Sequence, residues 1–247
     1  MALDTQRRAW TVGQAEAAQI DVGLRQYMLR VYNYMASGLA LTGIVAWIVA
    51  NTPSIQQVFF QATVRGIAPT GLGWLAIVAP IGLVFAMSWG INRMRASTAQ
   101  TLFWVYAGLM GISLSTILLA YTGASVARAF FATAASFLAL SLYGYTTKRD
   151  LTGVGRFLFM GLVGIIIASL INMFWPSPGM TFVISIVGVL VFAGLTAYDT
   201  QKIKEIYWAG DGSEVMTKKA VNGALRLYLD FINLFLMLMQ FMGNRRQ

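Results

Sequence analysis

A chain of 247 residues that is 57% hydrophobic and 11% charged, with a mean hydropathy of +0.66, is too apolar for a soluble domain, in which about 25% of residues are charged. The absence of cysteine and histidine excludes disulfides, thiolate or His-ligated metal sites, cysteine nucleophiles, Ser-His-Asp triads and haem histidines. The net charge of +9 is scattered between apolar runs, which fits membrane orientation and contact with anionic lipid, not nucleic-acid binding.

The chain reads as one polytopic membrane domain over 1–247, an all-α bundle, because its apolar runs have helix length rather than barrel-strand length. Residues 1–30 hold Asp4, Glu16 and Asp21 and lack an apolar core, so no cleaved signal peptide is expected. Residues 1–32 are expected to form a cytoplasmic or interfacial, partly amphipathic segment, with Trp10 and Tyr27 near the interface.

Seven spans follow, at about 33–51, 74–91, 99–121, 126–146, 157–175, 180–198 and 223–242, each near the ~20 residues that cross ~30 Å of hydrocarbon. The linker 52–73, with Pro53, Pro69 and an apolar VFF, is expected to be an interfacial loop. The WPSPG turn makes a hairpin of spans five and six. The polar linker 200–222 continues span six into water until AGDGS breaks it.

With the N-terminus inside, the inner segments carry thirteen Lys and Arg residues and the outer ones four: Arg65, Arg128, Arg245 and Arg246. That bias sets a cytoplasmic N-terminus. A re-entrant last segment would bring Arg245 and Arg246 inside, but seven full spans is the reading adopted. Small residues recur at packing spacing in Gly164/Ala168, Gly111/Ser115, Gly161/Gly164 and Ser185/Gly188.

Polar residues in span seven fall on one stripe: Gly223, Arg226, Asp230, Asn233, Met237 and Gln240 recur at steps of three and four. A carboxylate at a helix centre costs about 2.5–3.5 kcal/mol on insertion scales, so Asp230 must face protein or a polar cavity. It lies about 10 Å past Gly223 at 1.5 Å per residue. Under the cytoplasmic N-terminus, Asp199 at the end of span six and Arg93 at the end of span two reach the same side. Two carboxyls in a low-dielectric site tend to share a proton, and their oxygens are ligands that Ca²⁺ prefers. Blander readings stay open: an Arg226–Asp230 pair within the helix, a solvated Asp199 beside Lys202, Arg93 as a topology signal, and Asn233 and Tyr228 as supports of Asp230 or packing residues.

At these residues, GLTAYDTQKIK in span six and LYLDFINLFLMLMQF in span seven resemble the signature segments of the Bax inhibitor family, the transmembrane Bax-inhibitor-motif proteins. The resemblance covers essentially the whole chain, with an arginine-bearing second linker and GISLSTIL in span three. It implies two three-helix layers around a central last helix. For a bacterial member it further implies a pH-sensitive calcium leak channel gated by a di-aspartyl pair with a nearby arginine. Carried over, the pair falls on Asp199 and Asp230, which would also be the Ca²⁺ site, and the arginine on Arg93, with Arg95 the other choice. The chain ends GNRRQ without the acid-rich tail of some relatives, so no function tied to that tail is expected.

A second reading is a regulator that binds a membrane-protein partner, such as a quality-control protease or a death-pathway or stress component. A proton-coupled cation transporter is a third. An enzyme is not expected, nor a cofactor beyond Ca²⁺ as permeant or bound ion. An intramembrane aspartyl protease would need a GxGD signature, and the context of Asp230 is LYLDF.

Overall fold

The computed structural model describes residues 2–63, 66–91 and 93–244, without the side chains of residues 2–21, 62, 66 and 67. Readings that rest on Arg65, Arg245 and Arg246, and on the side chains of Asp4, Arg7, Arg8, Trp10, Glu16 and Asp21, lie outside the described residues.

The elements are α1 (Ala2–Asn51), α2 (Pro53–Phe59), β1 (Phe60–Thr63), β2 (Gly66–Pro69), α3 (Gly71–Gly90), α4 (Ala96–Ala120), α5 (Gly123–Thr146), α6 (Thr152–Phe174), α7 (Pro178–Glu205) and α8 (Ser213–Met242). Seven of the helices are long and apolar enough to cross a membrane. The protein is an integral membrane bundle.

The layers follow from which helices touch. On one side α4 packs against α1 and α3; on the other, α7 packs against α5 and α6. The helix α8 lies between them, in contact with α1, α4, α5 and α7. Lipid is as apolar as leucine, so such helices associate by close packing rather than by escape from water. Aromatic rings supply much of that packing on α8. Tyr228 meets Phe103 and Tyr106 edge-on from one layer, and Phe231 meets Phe130 and Phe137 from the other.

Three boundaries differ from the sequence reading. The helix α1 runs unbroken through residues 22–32 to Asn51 and buries Tyr27, Met28 and Val31, so residues 22–32 belong to the bundle. Tyr27 is accordingly buried at 2% exposure, with its ring against Tyr207 of the α7–α8 loop. The first linker holds regular structure: α2 leads into a pair of antiparallel strands with Phe60 opposite Pro69 and Thr63 opposite Gly66. The helix α8 begins ten residues before the expected span, because its amphipathic first turns bury Ala220 and Val221 while Glu214 stays exposed. From there it runs 30 residues without a break, about 45 Å at 1.5 Å per residue and longer than the ~30 Å hydrocarbon core.

Small residues set some contacts and not others. Gly111 lies against the Thr42 carbonyl and Val45 of α1, and Gly161 against Val191 of α7. Gly164 faces open space, so its spacing from Ala168 marks no helix contact through that residue.

Candidate functional site

The antiparallel pair α7 and α8 is held in register at both ends by glycines. Gly188 of α7 sits under Met237 of α8, and Gly223 of α8 sits under Ile203 of α7. That register brings Asp199 level with the turn of α8 from Arg226 to Asp230. The bonds of Gln201 hold the same stretch of α7 to the α5–α6 loop, since its Oε1 accepts from Leu151 N and its Nε2 donates to the Arg149 carbonyl, both at 2.8 Å. Across the helix, Thr200 joins a buried hydroxyl chain, 3.0 Å to Ser141 of α5 and then 2.6 Å to Tyr32 of α1. The α7–α8 loop is closed by Lys219, which donates to the Ile206 carbonyl at 2.8 Å and pairs with Asp211.

A cavity of about 940 Å³ opens where α6, α7 and α8 meet. From α8 it receives Arg226, Leu229, Asp230, Asn233 and Met237. The polar stripe therefore lines this cavity, apart from Gly223, which packs on Ile203, and Gln240, which is exposed. From α7 come Phe192, Leu195, Tyr198 and Asp199. The outlying α6 packs chiefly on α7 and forms the third wall.

Asp230 is 5% exposed, and its Oδ2 is buried with no hydrogen-bond partner. Its carboxyl neighbours that of Asp199, and both line the cavity. Two ionised carboxylates are acceptors only, so a bond between them needs one proton. Without it, two negative charges face each other in a desolvated place. The Asp199 side chain is 17% exposed, and the Arg226 guanidinium stands 3.7 Å from its Oδ1. At that distance the contact is an ion pair rather than a hydrogen bond. Arg226 is half exposed to the cavity, so the pair is worth at most about 1 kcal/mol.

The remaining expected residues separate. Asn233 lines the cavity one turn beyond Asp230. Tyr228 does not support Asp230: it is buried in the opposite face of α8, with its hydroxyl 2.7 Å from Thr42 Oγ1, and Thr42 in turn donates to the Ala107 carbonyl at 2.8 Å. Arg93 is exposed in the turn after α3 and does not line the cavity. The ion pair to Asp199 comes from Arg226, which also does not pair with Asp230 on its own helix. Lys202 turns to Glu205 at 2.6 Å and to Asp150 at 4.0 Å, not to Asp199. Outside the spans, the Thr152 amide and hydroxyl donate to Asp150 at 2.8 and 2.5 Å and hold its carboxyl below the ordinary range. That turn starts α6 and so sets where Arg156 enters the cavity. Sequence reasoning missed Arg156 and Gln201; the one signal was that Gln201 stands two residues after Asp199.

Residues 24–247 match the model of the family described as inhibitor of apoptosis-promoting Bax1. The chain belongs to the Bax inhibitor family. Among relatives of this Bax inhibitor family member, the uncharacterized protein RP147 of Rickettsia prowazekii is 51% identical over 226 residues, 92% of each chain. The inner membrane protein YbhL of Escherichia coli is 46% identical over 230 residues, 92% of this chain and 95% of its own. An uncharacterized Caulobacter vibrioides protein is 42% identical over 232 residues, 92% of each chain.

Proposed function

We propose that this Bax inhibitor family protein is a pH-sensitive leak path for Ca²⁺ in the plasma membrane, with its N-terminus in the cytoplasm. The observation that carries the reading is the orphaned, buried Oδ2 of Asp230 facing Asp199 at the wall of a cavity. A proton shared by the pair satisfies both carboxyls and clasps α7 to α8. Loss of that proton leaves two charges and one counter-charge, Arg226, which touches Asp199 only. The pair then either parts or takes a cation. In this reading the competing guanidinium is Arg226; nothing in the placement of Arg93 favours it for that role.

Two carboxyls and the Asn233 amide fall short of the 6–8 oxygens of a Ca²⁺ shell, roughly. Water would supply the rest. Such a site is weak and suits a permeant ion rather than a resident one. The inner-membrane description of the Escherichia coli relative fits this location.

Ca²⁺ flux from proteoliposomes, followed from about pH 5 to about pH 8 where a coupled carboxyl pair can titrate, tests the proposal. The expected result is a pH-dependent flux whose profile is flattened by both Asp199→Asn and Asp230→Asn. A wild-type profile in both variants sinks the gate. No flux at any pH would move the function to a membrane-protein regulator, with the pair as a structural clasp. Uphill flux driven by a proton gradient would make it a transporter.

A further inference from the structure

The cavity is divided by chemistry along its length. Gly155 abuts the Tyr198 ring, so Arg156 stands level with Tyr198 and Asp199 at one end, where Arg226 also stands. Away from that end, Phe159, Leu162, Ile166, Leu170 and Met173 follow one another down one face of α6. From Arg156 to Met173 the wall runs about 25 Å at 1.5 Å per residue, most of the ~30 Å hydrocarbon core. Because α6 rests chiefly on α7, its other side leaves the groove open toward α8 and the bilayer.

An occupant of this groove therefore comes from the membrane and needs an apolar tail. Its head meets two guanidiniums. Arg156 is exposed and makes no ion pair among the described residues; it feels Asp150 only at longer range. Arg226 is half exposed, with one partner for a group that carries five donors. Basic pockets between membrane helices on the cytoplasmic side suit anionic head groups, and about 940 Å³ lies within the ~300–1,000 Å³ of ligand sites. Asp199 and Asp230 repel an anion, which keeps a phosphate at the mouth against Arg156 rather than at the depth of Asp230.

We infer that the α6–α7–α8 groove binds one anionic phospholipid, its phosphate between Arg156 and Arg226 and an acyl chain along α6. The bound head group competes with Asp199 for Arg226, so lipid occupancy changes the counter-charge of the carboxyl pair. The regulatory consequence rests on the gate proposed above; the binding site does not.

The test places the full chain in phosphatidylcholine vesicles. These carry a trace of phosphatidylglycerol or phosphatidylcholine with the same photoactivatable acyl chain, and labelled peptides are mapped. Phosphatidylglycerol should label α6 and α8 groove residues several-fold more than phosphatidylcholine. Arg156→Gln should lower that preference about fivefold, the factor one basic residue contributes near an anionic head group. Arg156→Lys should keep most of it, and Ile166→Trp should cut groove labelling by both lipids. Equal labelling by the two lipids, or an unchanged preference in Arg156→Gln, overturns the site. Labelling needs no transport: preferential labelling without Ca²⁺ flux would keep the lipid site and retire the channel, and flux with equal labelling would do the reverse.

Discussion

Arg226 of α8 reaches across to Asp199 of α7, 3.7 Å away, and not to Asp230 one turn along its own helix. Chain order explains part of this, because a cation four residues before an acid is the poorer arrangement for an intrahelical pair. The result is an asymmetric pair of acids. Asp199 has a cation within ion-pair distance and some access to water; Asp230 feels Arg226 only at longer range, is buried, and depends on Asp199.

That asymmetry predicts unequal effects of two isosteric substitutions on stability. Asp230→Asn replaces a buried, orphaned acceptor with a group that can donate to Asp199. A buried unsatisfied polar group costs about 1–3 kcal/mol, so this variant should be at least as stable as wild type at neutral pH. Asp199→Asn removes the partner of a half-exposed arginine and should cost no more than about 1 kcal/mol. Thermal unfolding of the purified proteins in detergent reads both. A loss of more than about 1 kcal/mol in Asp230→Asn would show that its carboxylate, not a carboxylic acid, is what the fold holds.

The polar stripe of α8 shows how far periodicity alone can go. A carboxylate amid Leu, Phe and Met must be hidden from lipid, so the central place of α8 and the cavity beside Asp230 were legible from spacing. The partner of Asp199 was not. Choosing between Arg93 and Arg226 requires knowing where α3 ends relative to α7 and α8, a long-range fact that a run of apolar letters does not contain. Tyr228 fails for a related reason. It lies two residues before Asp230, about 200° round the helix at ~100° per residue, so its nearness in sequence puts it on the other face. The strand pair after α2 was hidden because its strands are only four residues each.

Tyr228 therefore gives a second prediction. Its hydroxyl bonds Thr42 across the α1–α8 contact, far round the helix from the carboxyl pair. In Tyr228→Phe the ring contacts with Phe103 and Tyr106 remain, and Thr42 keeps its bond to the Ala107 carbonyl. The variant should lose about 1 kcal/mol of stability, the worth of one net hydrogen bond, and keep the wild-type pH profile of Ca²⁺ flux. A shifted profile in Tyr228→Phe would tie this residue to the pair after all.

Glycines that look alike in the sequence should respond in opposite ways. A Cβ on Gly144 of α5 would run into the carbonyl of Ala197 on α7, two residues from Asp199. Backbone cannot step aside as a flexible side-chain end can, so α5 and α7 must separate. Overpacking of this kind costs about 1–3 kcal/mol. Because α7 also carries Thr200 into the α5 contact and Gln201 to the α5–α6 loop, the strain in Gly144→Ala should reach those bonds as well. Gly164 of α6 has nothing within 4 Å of its would-be Cβ. There alanine removes backbone freedom from the unfolded chain without a clash, so Gly164→Ala should be neutral or stabilising by about 0.5–1 kcal/mol. Side-by-side thermal unfolding of the two variants decides the matter. Equal losses in both would mean that α6 has a helix neighbour at Gly164 in the membrane, and equal tolerance would mean that α5 and α7 are not in contact at Gly144.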